Sequence, residues 1–401
     1  MSPQDGAQRF FDQLRAQTCA ALGIRPGTLD PAAQRDLSDR FLRESLNPAQ
    51  RQDPRLRALV EQEVTRAGQN PDESFDEMLA VMQDRIEATA ASRIDGVDLA
   101  LRRPLVGRLP TGQLNAVSMR VPGRSGAYLV LIEDQLALFA SKLSKAVAWA
   151  IPHGPADGTG NLTFQVGVPT VTERIRADPE VAERFAEIVV AYATTGTVGA
   201  AGHHLLPPGY LRLAYALVTA LEYFVLGHEY AHILNGHLDT TPVRTGALPA
   251  TEAEALAYSW QQELDADLVG MILSINALID HERLDMDFGF AGIGLFFDAL
   301  DVMDRAVALL QTGDENARQI GSHPPSELRK QRLREFLPRM AGDDSERAKV
   351  ALGLAAVQGE IIRLLWERAR PVLVDLRRRG VPAALTWRTV PKETAGEPAP
   401  R

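Results

Sequence analysis

The chain has 401 residues, with 43 Lys and Arg against 52 Asp and Glu, and a formal net charge of −9. At roughly 100–200 residues per domain, this length allows two or three domains or one large elaborated domain, and a content of 45% hydrophobic and 24% charged residues excludes a collagenous, coiled-coil or wholly disordered chain. The acidic balance argues against a nucleic-acid partner held by bulk charge, and the single Cys19 excludes an internal disulfide or a cysteine-rich zinc module.

The opening MSPQDGAQRF has no basic stretch followed by an apolar one, so no signal peptide is expected. With one cysteine, the expected location is the reducing cytoplasm. A helix is predicted over residues 8–22. Asp30-Pro31, Asp53-Pro54 and Asn70-Pro71 each set a capping side chain before a proline at a first helical position. The run after each has apolar residues at spacings of three and four. These helices are expected to form an N-terminal module, residues 1–105, that stands apart and gates or recruits substrate.

After Arg103 the pattern changes. Residues 113–121 and 127–132 are rich in β-formers, and PGRSG between them predicts a hairpin. Helices are predicted over residues 135–150, from Asp178-Pro179 to residue 194, and over residues 210–235. Between the first two, HGPADGTGN reads as loop. A capping box, Thr251 with Glu254, opens another helix running to residue 277. More helix follows, broken at GSHPPSE, then a long helical stretch over residues 345–379. The tail, residues 391–401, is expected to be disordered. The most apolar stretches, residues 211–226 and 288–300, are interrupted by Arg212, Glu222 and Asp298. Both fall short of ~20 clean apolar residues, so no membrane span is expected.

One motif carries chemistry: His228-Glu229-Tyr230-Ala231-His232, inside the long helix. Residues i and i+4 share a helical face, so two imidazoles can hold one metal ion with Glu229 beside it. Two neutral imidazoles suit one Zn²⁺ per chain, and a catalytic zinc takes three protein ligands and an open position. Five residues in this pattern also arise by chance, but ionisable groups after the apolar run LVTALEYFVLG are costly unless paired or coordinating.

The metzincin spacing fails, because Gly236 stands at +4 and His237 at +5 from His232. His237 is therefore read as capping the helix end. Glu263 and Asp267, four apart on the next helix, are the better set. Glu263 completes a His₂Glu site, and Asp267 accepts the outer N–H of a ligating histidine. Asp265 points elsewhere. His203-His204 reads as polar loop and Arg377 to Arg379 as a solvated helix end. Tyr230 and Tyr258 read as packing residues, with an oxyanion-donor role as the alternative.

HEYAHILNGH, then ELDADLVG, then Gly321-Ser-His323-Pro-Pro-Ser-Glu-Leu-Arg329 resembles the gluzincin metallopeptidases, closest to the CaaX-prenyl-protease and HtpX-like family. The resemblance covers roughly residues 113–335. It implies His228, His232 and Glu263 as zinc ligands, Glu229 as the catalytic base, Asp267 as the residue behind a histidine, and His323 and Arg329 beside the reacting atoms. It also implies an α+β, mostly α-helical fold. A zincin core, residues 106–340, would hold a small sheet and two active-site helices, with an insertion at about 152–208 and C-terminal helices at 341–390. Members of that family are usually embedded in membranes, which this chain is not expected to be. A weaker resemblance is to the Lit-type phage-exclusion protease.

The expected function is a soluble zinc-dependent metalloendopeptidase acting on a protein or peptide, which strand 127–132 would bind by strand addition. The alternatives are a Lit-like phage-defence protease, or a sensor or scaffold with a structural or weakly active zinc site. A regulatory partner would dock on the N- or C-terminal helices.

Overall fold

The computed structural model describes residues 3–22, 71–93, 102–123, 126–154, 163–202, 208–239, 252–317, 323–342 and 345–384, with isolated positions between them. The runs expected after Asp30-Pro31 and Asp53-Pro54, the capping residue Thr251, His203-His204, the side chain of Tyr258 and the tail 391–401 lie outside the described residues.

In chain order the elements are α1 (Pro3–Leu22), α2 (Pro71–Arg93), β1 (Leu105–Leu109), β2 (Ala116–Arg120), β3 (Tyr128–Glu133), α3 (Asp134–Trp149), α4 (Val168–Ala177) and α5 (Pro179–Thr195). They continue with α6 (Pro208–Leu234), α7 (Glu252–Ala277), α8 (Met286–Thr312), α9 (Ser326–Ala341) and α10 (Ser345–Arg378). Among the described residues the architecture is mostly helical around one small sheet. The start of α5 is set as the sequence implies: Pro179 takes the first turn, and the Asp178 carboxylate accepts from the Glu180 N–H at 3.1 Å.

The sheet has the order β1-β3-β2. β2 and β3 form the expected hairpin, paired antiparallel with Ser118 opposite Val130. β1 lies parallel to β3 on its other side, with Gly107 opposite Leu131. β3 is thus central and buried on both faces, which accounts for its unbroken apolar run. Leu129 and Leu131 meet Phe11 and Ala7 of α1, while Val130 and Ile132 meet Ile86 of α2 and Leu226 of α6. A Cβ on Gly107 would sit 2.5 Å from the Phe11 ring, so α1 docks this closely only over a glycine.

The expected boundaries at residues 105 and 341 are not packing boundaries. α1 covers one face of the sheet, and α2 packs on its other face and on α6. Gln83 of α2 donates to the Tyr230 hydroxyl at 2.7 Å, and that hydroxyl donates to Glu87 at 2.6 Å. The C-terminal α10 buries Ile361, Leu365 and Trp366 in the same core as Phe139 of α3 and Leu221 of α6. The segment 152–208 contributes Val171 of α4 and Phe185 of α5 to that core. Each helix has an apolar face, and periodicity says which face is buried but not against what.

α6 is apolar on nearly every side because helices and the sheet surround it. By length and composition, residues Gly209–Leu234 are long and apolar enough to cross a membrane, contrary to the expectation from the interrupted apolar runs. In this fold 61% of the most apolar window of that helix is buried inside the protein.

Candidate metal centre

α6 and α7 touch backbone to backbone. A Cβ on Gly270 would fall 2.8 Å from the Cα and N of His228, and one on Gly227 would fall 3.0 Å from the Gly270 carbonyl oxygen. Side chains just outside this crossing therefore meet at short range. His228 and His232 come from α6, and Glu263 and Asp267 from α7.

His228, His232 and Glu263 form a group whose ligand atoms all lie within 4.8 Å of one another. The two Nε2 atoms are 3.2 Å apart. Glu263 Oε2 is 3.5 Å from His228 Nε2, and Glu263 Oε1 is 3.5 Å from His232 Nε2. Behind His228, Asp267 Oδ1 lies 3.0 Å from Nδ1. Behind His232, His237 Nδ1 lies 3.0 Å from Nδ1, which gives His237 a supporting place rather than a ligating one. With Asp267 and His237 beside the two Nδ1 atoms, both Nε2 atoms and a carboxylate oxygen face one point. Glu263 Oε2 is buried with no hydrogen-bond partner among the described residues. Converging acceptors around an orphaned buried oxygen are what a cation satisfies, and two imidazoles with one carboxylate suit zinc. The buried His–His–Glu group is thus able to hold a metal ion.

Burial acts to lower the pKa of His228, but Asp267 and Glu263 outweigh it and push it up to about 10. Burial and the His228 charge push His232 down to about 3. Of the two imidazoles, His228 is thus the one that holds a proton, which a bound metal ion would displace. Burial works to raise Glu263, yet His228, His323 and Arg329 hold it below the usual carboxylate range.

Glu229, next to His228, is 6% exposed and is not in the ligand group. Burial raises its pKa, partly offset by His228 and by hydrogen bonds from the Ser118 hydroxyl and backbone N–H. The sheet explains this contact. Val121 N–H donates to Ala127 and Glu133 N–H to Asn115, which makes Ser118–Val130 a non-hydrogen-bonded pair. The Ser118 N–H thus points away from β3, toward the sheet edge. That edge was not legible in the sequence beyond the alternation that sets Ser118 inward. The strand expected to pair with substrate, residues 127–132, is flanked on both sides and has no free edge. The strand facing Glu229 is β2.

Arg329 is 3% exposed and donates to Asp267 twice, Nε to Oδ2 at 2.7 Å and Nη2 to Oδ1 at 2.6 Å. Its guanidinium lies over Phe297, and Nη2 is 3.5 Å from Glu263 Oε2. It stands behind the ligands. His323 is on the open side, with its side chain 55% exposed and Nε2 3.5 Å from Glu263 Oε2. The Tyr230 hydroxyl, bonded to Glu87 and Gln83, faces α2 and not the histidines, so it supplies no oxyanion donor.

Comparisons with protein-family models, with curated proteins and with solved structures return no match. The geometry of the site is what speaks for its chemistry.

Proposed function

We propose that the chain is a zinc-dependent metallopeptidase of the gluzincin type. The observation that carries this reading is the combination of a buried His₂Glu group with a buried, non-ligating Glu229 at its side. A structural metal site has no use for that extra carboxylate. A zinc ion held by His228, His232 and Glu263 would lower the pKa of water toward ~7 and polarise a carbonyl. Glu229 takes a proton from the attacking water and delivers it to the leaving nitrogen, a role favoured by a pKa raised through burial. Asp267 fixes the orientation of His228, and Arg329 fixes Asp267. His323, on the open side, is the residue available to the developing oxyanion. The rest of the β2 edge, where Ala116 and Arg120 also turn their backbone groups away from β3, offers an extended substrate a backbone partner beside Glu229.

The test is Glu229→Gln. Zinc content by elemental analysis should stay near one per chain, while cleavage of an unfolded protein should fall by ~10² or more. Zinc-loaded wild type that cleaves nothing would point to a structural site. Loss of zinc in Glu229→Gln would overturn the division between base and ligands.

A further inference from the structure

A cavity of about 70 Å³ lies between α3 and α5, lined by none of the residues of the His–His–Glu group. Its walls are partly apolar, with Leu138 and Trp149 from α3 and Val181 and Ile188 from α5. Three cations, Lys142, Lys145 and Arg184, and one carboxylate, Glu187, also line it.

These cations are not equally engaged. Arg184 is paired with Glu187 at 3.0 Å and with Glu180 at 3.6 Å. The Lys142 ammonium is buried and donates to the carbonyls of Ala201 and Gly202, each at 3.0 Å. Lys145 is mostly buried and makes no hydrogen bond or ion pair among the described residues. Burial alone acts on it and pushes its pKa down. It lies three residues from Lys142 on the same helix, so both side chains rise from one helix face. A mostly buried cation in a half-apolar cavity, with no ion pair of its own among the described residues, is costly unless an anion joins it.

We infer that this cavity binds a small organic carboxylate. The carboxylate group sits against Lys145, and a short apolar body sits against Leu138, Trp149, Val181 and Ile188. At about 10–15 Å³ for each water-sized group, the volume of about 70 Å³ takes roughly five to seven heavy atoms, the size of propionate or butyrate. Inorganic phosphate satisfies Lys145 but leaves its remaining oxygens against apolar walls, so it fits less well.

The experiment titrates the full chain with butyrate and, separately, with inorganic phosphate, read by calorimetry. It uses wild type, Lys145→Met and Lys145→Arg. Wild type should bind one butyrate saturably. Lys145→Met should bind at least tenfold more weakly, and Lys145→Arg should recover most of the affinity. Without ligand, Lys145→Met should melt at a higher temperature than wild type, because an uncompensated charge is gone. The inference is overturned if wild type binds no butyrate, if Lys145→Met binds as well as wild type, if phosphate binds as tightly as butyrate, or if unliganded Lys145→Met melts lower.

Discussion

Adjacent residues of α9 make two buried ion pairs of opposite character. Arg329 reaches α7 and grips Asp267 with two hydrogen bonds, at 2.7 and 2.6 Å. Lys330 reaches α8 and meets Asp298 with one, at 2.7 Å, while Gln358 of α10 adds a contact at 3.3 Å. Both aspartates are buried, and burial pushes each upward. At Asp267 the guanidinium and His228 win, and the carboxylate lies below its usual range. At Asp298 burial wins over the single ammonium, and the carboxylate lies above its usual range. A forked cation backed by a histidine makes a permanent anion, able to hold the outer nitrogen of a metal ligand. One lysine and an amide make a tie between three helices.

Removing each cation should separate these roles. Arg329→Met strands the Asp267 anion and should cost about 3–5 kcal/mol in urea denaturation, with weakened zinc binding. Lys330→Met leaves an Asp298 already inclined to take up a proton, so its cost should be smaller, about 1–3 kcal/mol, with zinc affinity unchanged. Equal losses, or equal effects on zinc, would erase the distinction.

Asp267→Asn sharpens it further. The shape stays and the charge goes, so zinc affinity measured by chelator competition should fall by roughly 10- to 100-fold, with activity restored in excess zinc. An unchanged affinity would mean that Asp267 does not orient His228.

Glu133 supplies the case with no cation. It is buried and accepts from the Thr111 N–H at 2.9 Å, and burial pushes its pKa up to about 7. The folded value lies above the unfolded one, so its contribution to stability is full at low pH and is lost as pH rises through about 7. Glu133→Gln keeps the acceptor and should remove up to about 3 kcal/mol of that fall. Thermal melts at about pH 5 and pH 8 decide it: wild type should lose more between the two than the variant does.

The sequence made the local elements legible, because caps, prolines and periodicity act over a few residues. Asp178-Pro179 started α5, and PGRSG joined β2 to β3. It did not reveal β1, a five-residue strand holding Gly107 and Arg108, nor α4, whose Pro169 follows a Gly-rich run. The i,i+4 spacings of His228 with His232 and of Glu263 with Asp267 put the site residues on helix faces. The grip of Arg329 on Asp267 spans 62 residues, and no local rule could assign it. The lysines of the cavity had a faint signal. Leu138, Lys142, Lys145 and Trp149 follow a three-and-four spacing on an otherwise apolar helix face.

The backbone contact between Gly227 and Gly270 also bears on how such centres are found in other chains. It joins two distant stretches into a single recognisable signature. A small residue stands directly before the first histidine, and another stands three places after the aspartate. A chain with HExxH and ExxxD but a bulky residue at either place must separate its two helices, which withdraws the carboxylate from the imidazoles. Requiring both small residues would turn a five-letter pattern prone to chance matches into a spatial filter that is readable from amino-acid letters alone.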